Sequence, residues 1–148
     1  MIKKNKLIKE IPFKDLKSTD LYVDARYRGG NEGGFQDEVI GKIFPVQNRG
    51  GFIISGSYVK DNLKYVILYS SMDKVDWPDN LDSRTGIFEY YGDNQKPGSE
   101  LHDTRKNGNN ILRDTFGYLA RNELKNIPPY FVFTKYGRGY DVLFRGLA

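Results

Sequence analysis

The residues best suited to hold a flat ligand stand in two nearby stretches. The first, Asp76-Trp77-Pro78-Asp79, places the single tryptophan of the chain among acids. The second, residues 86–103 (GIFEYYGDNQKPGSELHD), begins as a strand and breaks after Tyr90-Tyr91, at Gly92, into a polar loop. Neighbouring side chains of a strand point to opposite faces, so one tyrosine can serve a core while the other faces a cleft. An indole or phenol stacks on a flat ring, and a carboxylate or amide, here Asp76, Asp79, Asp93 or Asn94, can read its polar edge. The plain alternative is a core tyrosine followed by a turn built from Gly92, Asp93 and Asn94. The acidic loop leaves one strand and returns into the next, so Trp77 and Tyr90 are expected to face one another across a cleft.

A second group is basic. Residues 101–114 (LHDTRKNGNNILRD) mix Arg105, Lys106 and Arg113 with the amides Asn107, Asn109 and Asn110 at a helix start. Helix N-termini attract phosphate through their free N–H groups, and nearby cations add to that attraction. A capped helix with a charged surface is the alternative. The turn Asn48-Arg49-Gly50-Gly51 could insert beside a duplex, with Arg49 as its probe, and Lys135 and Arg138 extend the cationic set. The glycine pairs lack the lysine arrangement of a phosphate-cradling loop. His102 reads as a hydrogen-bonded structural residue. Asp79, Glu123 and Lys125 superficially match the acid and Glu-x-Lys set of magnesium-dependent nucleases, but that set rides a strand, whereas Glu123 and Lys125 end a helix.

Composition narrows the classes. The 148 residues suffice for one domain. The chain has no cysteine and one histidine, which leaves disulfides, thiolate chemistry and histidine-rich zinc sites unsupported and fits a reducing cytoplasm. No apolar run approaches a membrane span or a signal peptide. A net charge of +4 tilts the partners towards polyanions. The 11 tyrosines suit both stacking on bases and an ordinary sheet.

These groups must be positioned by elements visible as patterns. Residues 1–18 read as a basic lead-in before a domain over 19–148. Residues 21–27 alternate as a strand, and 35–44 carry helical spacing. Residues 51–59 and 64–72 read as a hairpin whose second strand, apolar throughout, lies centrally. Residues 73–86 form an acidic loop, followed by the strand at 87–91. Residues 109–124 are the principal helix, with Leu112, Phe116, Leu119 and Ala120 on one face, and Pro128 and Pro129 end it. Residues 130–137 and 140–147 pair around Gly137-Arg138-Gly139. The sum is an α+β domain: a strongly curved sheet or barrel with one main helix and short flanking helices. The apolar ending Phe144-Arg145-Gly146-Leu147-Ala148 suggests that a longer natural chain continues.

The segments VDARYRGG, PVQNRGGF, VILYSS, VDWPDNLDSRTGIFEYYGDNQKPGSELHDT, GNNIL and IPPYFVFTKYGRGYDVLFRGLA, in that order, resemble the amino-terminal DNA-recognition domain of modification-dependent restriction endonucleases of the AspBHI and MspJI type. The likeness runs from about residue 20 to the end. It implies an SRA-like (PUA-like) crescent barrel that flips 5-methylcytosine, or a related modified cytosine, out of double-stranded DNA. It also implies Trp77 and Tyr90 as the aromatic sandwich and Asp76 as the edge reader, with Tyr91, Asp79 and Asp93 as nearest substitutes. SRA pockets generally use two tyrosines, and Trp77 takes one place here. Asn48, Arg49, Gly50, Arg105, Lys106, Asn109, Arg113, Lys135 and Arg138 would meet the backbone or grooves.

The resemblance further implies binding without cleavage, no cofactor, and a nuclease domain and any homo-oligomer supplied by the parent protein. Two rivals stand beside this expectation. One is a reader of another DNA mark, such as phosphorothioate or a glucosylated base; the other is a self-contained magnesium-dependent nuclease.

Overall fold

The computed structural model describes residues 7–47, 50–92 and 98–148. Among them a six-stranded sheet runs in the order β1-β2-β8-β7-β4-β3, and a separate two-stranded sheet is formed by β5 and β6. The strands are β1 (Glu10–Ile11), β2 (Arg26–Tyr27), β3 (Phe52–Ser55), β4 (Tyr65–Ser70), β5 (Asn80–Asp82), β6 (Ile87–Glu89), β7 (Tyr130–Lys135) and β8 (Val142–Leu147); the helices are α1 (Ile40–Ile43) and α2 (Gly108–Ala120). The α+β class holds. The barrel does not close: β1 and β3 are the two edges of an open sheet. No helix among the described residues is long and apolar enough to cross a membrane.

β4 lies between β3 and β7, as its continuous apolar run demands. It pairs with β3 antiparallel and with β7 in parallel, Ile67 opposite Phe131 and Leu68 opposite Val132. A strand covered on both faces has no polar side to show. The pleat then distributes its residues between two cores. Ile67 joins Ile53, Phe133, Phe144, Val39 and Ile40 on one face of the sheet. Val66 and Leu68 join Phe52, Tyr130 and Ile111 on the other. The second face matters for function, because Phe88, Tyr90 and Leu112 pack on it.

Several local expectations change. Only Arg26–Tyr27 of 21–27 is strand. The buried Tyr27 hydroxyl accepts the Tyr22 amide at 2.8 Å and donates to the Asp20 carbonyl at 2.9 Å, so the preceding backbone curls around it. The segment 35–44 divides into a 3-10 turn at Phe35–Asp37 and the short α1. Here the buried carboxylates of Asp37 and Glu38 intervene. Asp37 accepts the Glu32 and Gly33 amides, and Glu38 accepts those of Ile40 and Gly41. Residues 73–86 are not all loop, since β5 pairs there with β6. In the segment 1–18, Ile11 and Leu16 are buried in the larger core.

α2 is rotated relative to the expected face. Ile111 is buried, and Thr115 Oγ1 lies 2.7 Å from the Tyr130 hydroxyl, joining the helix to β7. Phe116 and Leu119 are 66% and 54% exposed. Spacing put Leu112, Phe116 and Leu119 together, but the stripe through 108, 111, 112 and 115 is also helical, and contact with Tyr130 selects it.

Candidate nucleic-acid interface

The site is built on the end of the β5–β6 hairpin that overhangs the α2 face of the sheet. Asn80 pairs with Glu89 and Leu81 with Phe88, so the chain entering β5 through Trp77 and Asp79 runs beside the chain leaving β6 through Tyr90 and Tyr91. One bond fixes this juxtaposition: the Tyr91 amide donates to Asp79 Oδ1 at 2.9 Å. The Asp79 amide in turn donates to the Trp77 carbonyl at 3.0 Å, closing a tight turn after the indole. The two stretches separated in the sequence are thereby one structural unit.

The two tyrosines divide as the pleat requires. Tyr90 is half-buried, its ring tilted against Phe52 and Phe88 with centroids 6.4 and 5.9 Å apart. Tyr91 is 52% exposed. Trp77 is half-buried, and among the described residues no ring contact joins it to Tyr90. The acids also separate: Asp76 is exposed, whereas Asp79 holds the Tyr91 amide. Asp93 lies outside the described residues.

The glycine turn comes to the same place. A Cβ on Gly51 would meet the Tyr69 carbonyl at 2.8 Å and the Tyr90 hydroxyl at 3.6 Å, so only glycine lets the backbone pass so close. Gly50 is left-handed at φ 102°, and a Cβ there would stand 3.6 Å from Lys106 Nζ. Asn48 and Arg49 lie outside the described residues.

The cations are used differently from one another. Lys106 donates to the Phe52 carbonyl at 2.8 Å, tying the approach to α2 to the start of β3. Arg105 is exposed and, with Lys106 and Asn107, lines a cavity of about 310 Å³ beside Ile54 and Tyr58. Arg113 is exposed on α2, its guanidinium 2.8 Å from Asp114. Lys135 ends β7 and helps hold Asp73 below the usual carboxylate range, an effect led by a hydrogen bond from Ser71. Arg138 is exposed in the turn between β7 and β8.

Asn109 is placed differently from the surface role expected of it. It is 8% exposed, and its amide donates to the Leu101 carbonyl at 2.5 Å. His102 offers its carbonyl to the Asn110 amide at 3.0 Å.

A second network joins Tyr58 to Asp114 of α2, and sequence reading missed it. Tyr58 donates to Asp114 at 2.7 Å, which pushes the phenol's pKa up. Burial raises the Asp114 pKa, but bonds from Tyr58 and Arg113 outweigh it and the net shift is downward. The nuclease triad finds no geometric support. Asp79 serves Tyr91, and Glu123 is engaged by Arg121 at 2.9 Å and Asn126 at 3.3 Å. Among the described residues no group of three or more histidines, cysteines or acids could hold a metal ion.

An open mixed sheet carries an aromatic hairpin end and a basic helix start, an arrangement suited to a flat ligand on a polyanion. The chain belongs to the family described as "Restriction endonuclease AspBHI N-terminal", whose profile matches residues 21–148. It is similar to a solved structure of the DNA modification-dependent restriction endonuclease AspBHI, with 36% identity, a TM-score of 0.85, and coverage of 94% of this chain and 64% of that one. It is also similar to the DNA recognition domain of the cytosine modification-dependent restriction endonuclease LpnPI, with 37% identity, a TM-score of 0.83, and coverage of 95% and 63%. The fold extends to the MspJI restriction endonuclease in complex with a 27-mer oligonucleotide, with 22% identity, a TM-score of 0.54, and coverage of 83% and 35%. The chain thus spans under two thirds of each of these structures. No curated protein sequence matches.

Proposed function

We propose that this domain reads a modified cytosine, 5-methylcytosine or a close relative, flipped out of double-stranded DNA. In this reading Trp77 and Tyr90 wall the base, Asp76 reads its edge, and Tyr91 borders the entrance. The observation that carries it is the Asp79–Tyr91 bond, which joins the tryptophan loop to the tyrosine pair in a chain of the AspBHI amino-terminal family that is similar to the DNA recognition domain of LpnPI.

The energetics are balanced. Extracting a base costs a few kcal/mol. Stacking returns about 1–3 kcal/mol per base–ring contact, so two rings roughly offset extraction. A carboxylate accepting from cytosine N4 adds about 1–3 kcal/mol against thymine. Burying one methyl adds about 0.8 kcal/mol, roughly a fourfold preference, so stronger selectivity needs a closely fitted wall. Arg105, Arg113, Lys135 and Arg138 would supply salt-sensitive affinity that does not depend on the mark.

The test is the affinity for paired duplexes that differ only in cytosine methylation, read by fluorescence anisotropy. Tighter binding of the methylated duplex is expected. Equal affinities, or tighter binding of phosphorothioate or glucosylated duplexes in competition, would reject the assignment.

A further inference from the structure

The buried amide of Asn109 has no place in a phosphate contact, yet it touches both chain segments that bound the proposed site. Its Nδ2 donates to the Leu101 carbonyl at 2.5 Å. Its Oδ1 fills the space where a side chain on Gly92 would stand: a Cβ there would overlap that oxygen. Gly92 sits at φ 87°, a conformation that any other residue adopts only with strain. Backbone fixation is thus continuous along this stretch. Phe88 pairs with Leu81, Tyr90 packs on Phe52, the Tyr91 amide is held by Asp79, and Gly92 rests against Asn109.

The base of this arrangement is rigid. Asn109 lies in the first turn of the 13-residue helix α2, beside buried Gly108 and Ile111, and Ile111 belongs to the core that also holds Phe88 and Tyr90. Asn110 extends the grip outward, its Nδ2 donating to the His102 carbonyl at 3.0 Å and to Asn107 Oδ1 at 3.2 Å. The first turn of α2 therefore clamps residues 101 and 102 with one pair of amides and seats Gly92 with one of the same pair.

We infer that Asn109 is a positioning residue of the recognition site. It sets the height of the Tyr90–Gly92 backbone over α2, and with it the aromatic wall. The inference rests on the modified-base reading for its functional consequence, but its structural half stands alone. An asparagine suits the task because it presents a donor to one segment and a compact oxygen against the other.

The experiment compares the intact chain with Asn109→Ala, the isosteric Asn109→Asp, which lacks the donor, and Gly92→Ala, which presses on the same contact from the other side. Two quantities are read after thermal melting has established folding. The first is affinity for methylated and unmethylated duplexes. The second is backbone amide hydrogen exchange of the free protein at residues 88–92 and 98–103. Each folded variant is expected to bring the methylated-to-unmethylated ratio within about twofold of one, inside the roughly fourfold that one buried methyl supplies. Affinity for the unmethylated duplex is expected to change less than about twofold. Exchange in the two segments should rise about fivefold, as loss of one buried hydrogen bond allows, with β7 unchanged.

Retained preference with unchanged exchange would overturn the inference, as would equal loss of affinity for both duplexes. If the unaltered chain shows no methylation preference, the modified-base reading falls, and exchange alone decides the positioning role: unchanged exchange in Asn109→Asp refutes it.

Discussion

Asp79 and Tyr91 are joined across the open end of the β5–β6 hairpin by a backbone amide and a carboxylate 2.9 Å apart. That bond separates the jobs of the two acids flanking Trp77, because one is engaged internally and the other is exposed. Asp79→Asn keeps an acceptor oxygen and is expected to leave binding near the unaltered level. Asp79→Ala removes the acceptor and should cost about 1 kcal/mol of stability. Asp76→Ala should leave the melting temperature unchanged while removing about 1–3 kcal/mol of cytosine-over-thymine discrimination. Melting curves and competition with a thymine-substituted duplex check all three.

Removing either proposed ring should weaken methylated-duplex binding by about 1–3 kcal/mol, roughly 5- to 150-fold. The two variants differ in stability. Tyr90 packs against Phe52 and Phe88, so Tyr90→Ala should also destabilise the fold by about 2 kcal/mol. If Trp77→Ala and Tyr90→Ala both keep full preference for methylated DNA, the walls of the pocket lie elsewhere.

Salt dependence distinguishes the cations. Arg105 is exposed, so Arg105→Gln is expected to lower the slope of log affinity against log salt by about one without moving the melting temperature. Lys106 is bonded to the Phe52 carbonyl, so Lys106→Gln should lower stability as well. A titration of both variants over a salt series, with melting curves alongside, reads the difference. An unaltered slope in Arg105→Gln would remove it from the DNA contacts.

The Tyr58–Asp114 pair predicts a pH signature in the stability of the domain. The folded Asp114 pKa lies below its ordinary value near 4, because bonds from Tyr58 and Arg113 outweigh burial. Its contribution to stability is therefore fully present above the unfolded pKa and is lost as pH falls through the folded one. The difference in melting temperature between the unaltered chain and Asp114→Asn should be constant from pH 7 to about pH 5 and shrink below about pH 4. A difference that grows on acidification would contradict the pairing.

Patterns of a few residues were enough to read much of this protein. The apolar run at 65–70 had to be a central strand, the 51–72 hairpin followed from two such runs and a turn, and Trp77 with Tyr90-Tyr91 stood out by residue type. A series of segments from about residue 20 to the end, among them WPDNLD and IPPYFVF, carried the family resemblance and, with it, the expectation of a DNA reader. The local pattern could not show interactions between distant residues. The parallel pairing of β4 with β7 depends on contacts between residues some sixty positions apart, and the sheet stays open between the two-residue edge strand β1 and the four-residue edge strand β3, which do not pair. Two helical stripes on α2 were compatible with its spacing, and Tyr130 chose the one through Ile111 and Thr115. Asn109 looked like a surface amide because nothing local distinguishes a buried asparagine from an exposed one; its burial arises only when Gly92 and Leu101 converge on the first turn of α2. Residue types and short spacings thus determined which groups are present, while the folded chain decided which of them are consumed by holding each other and which stay open to a ligand.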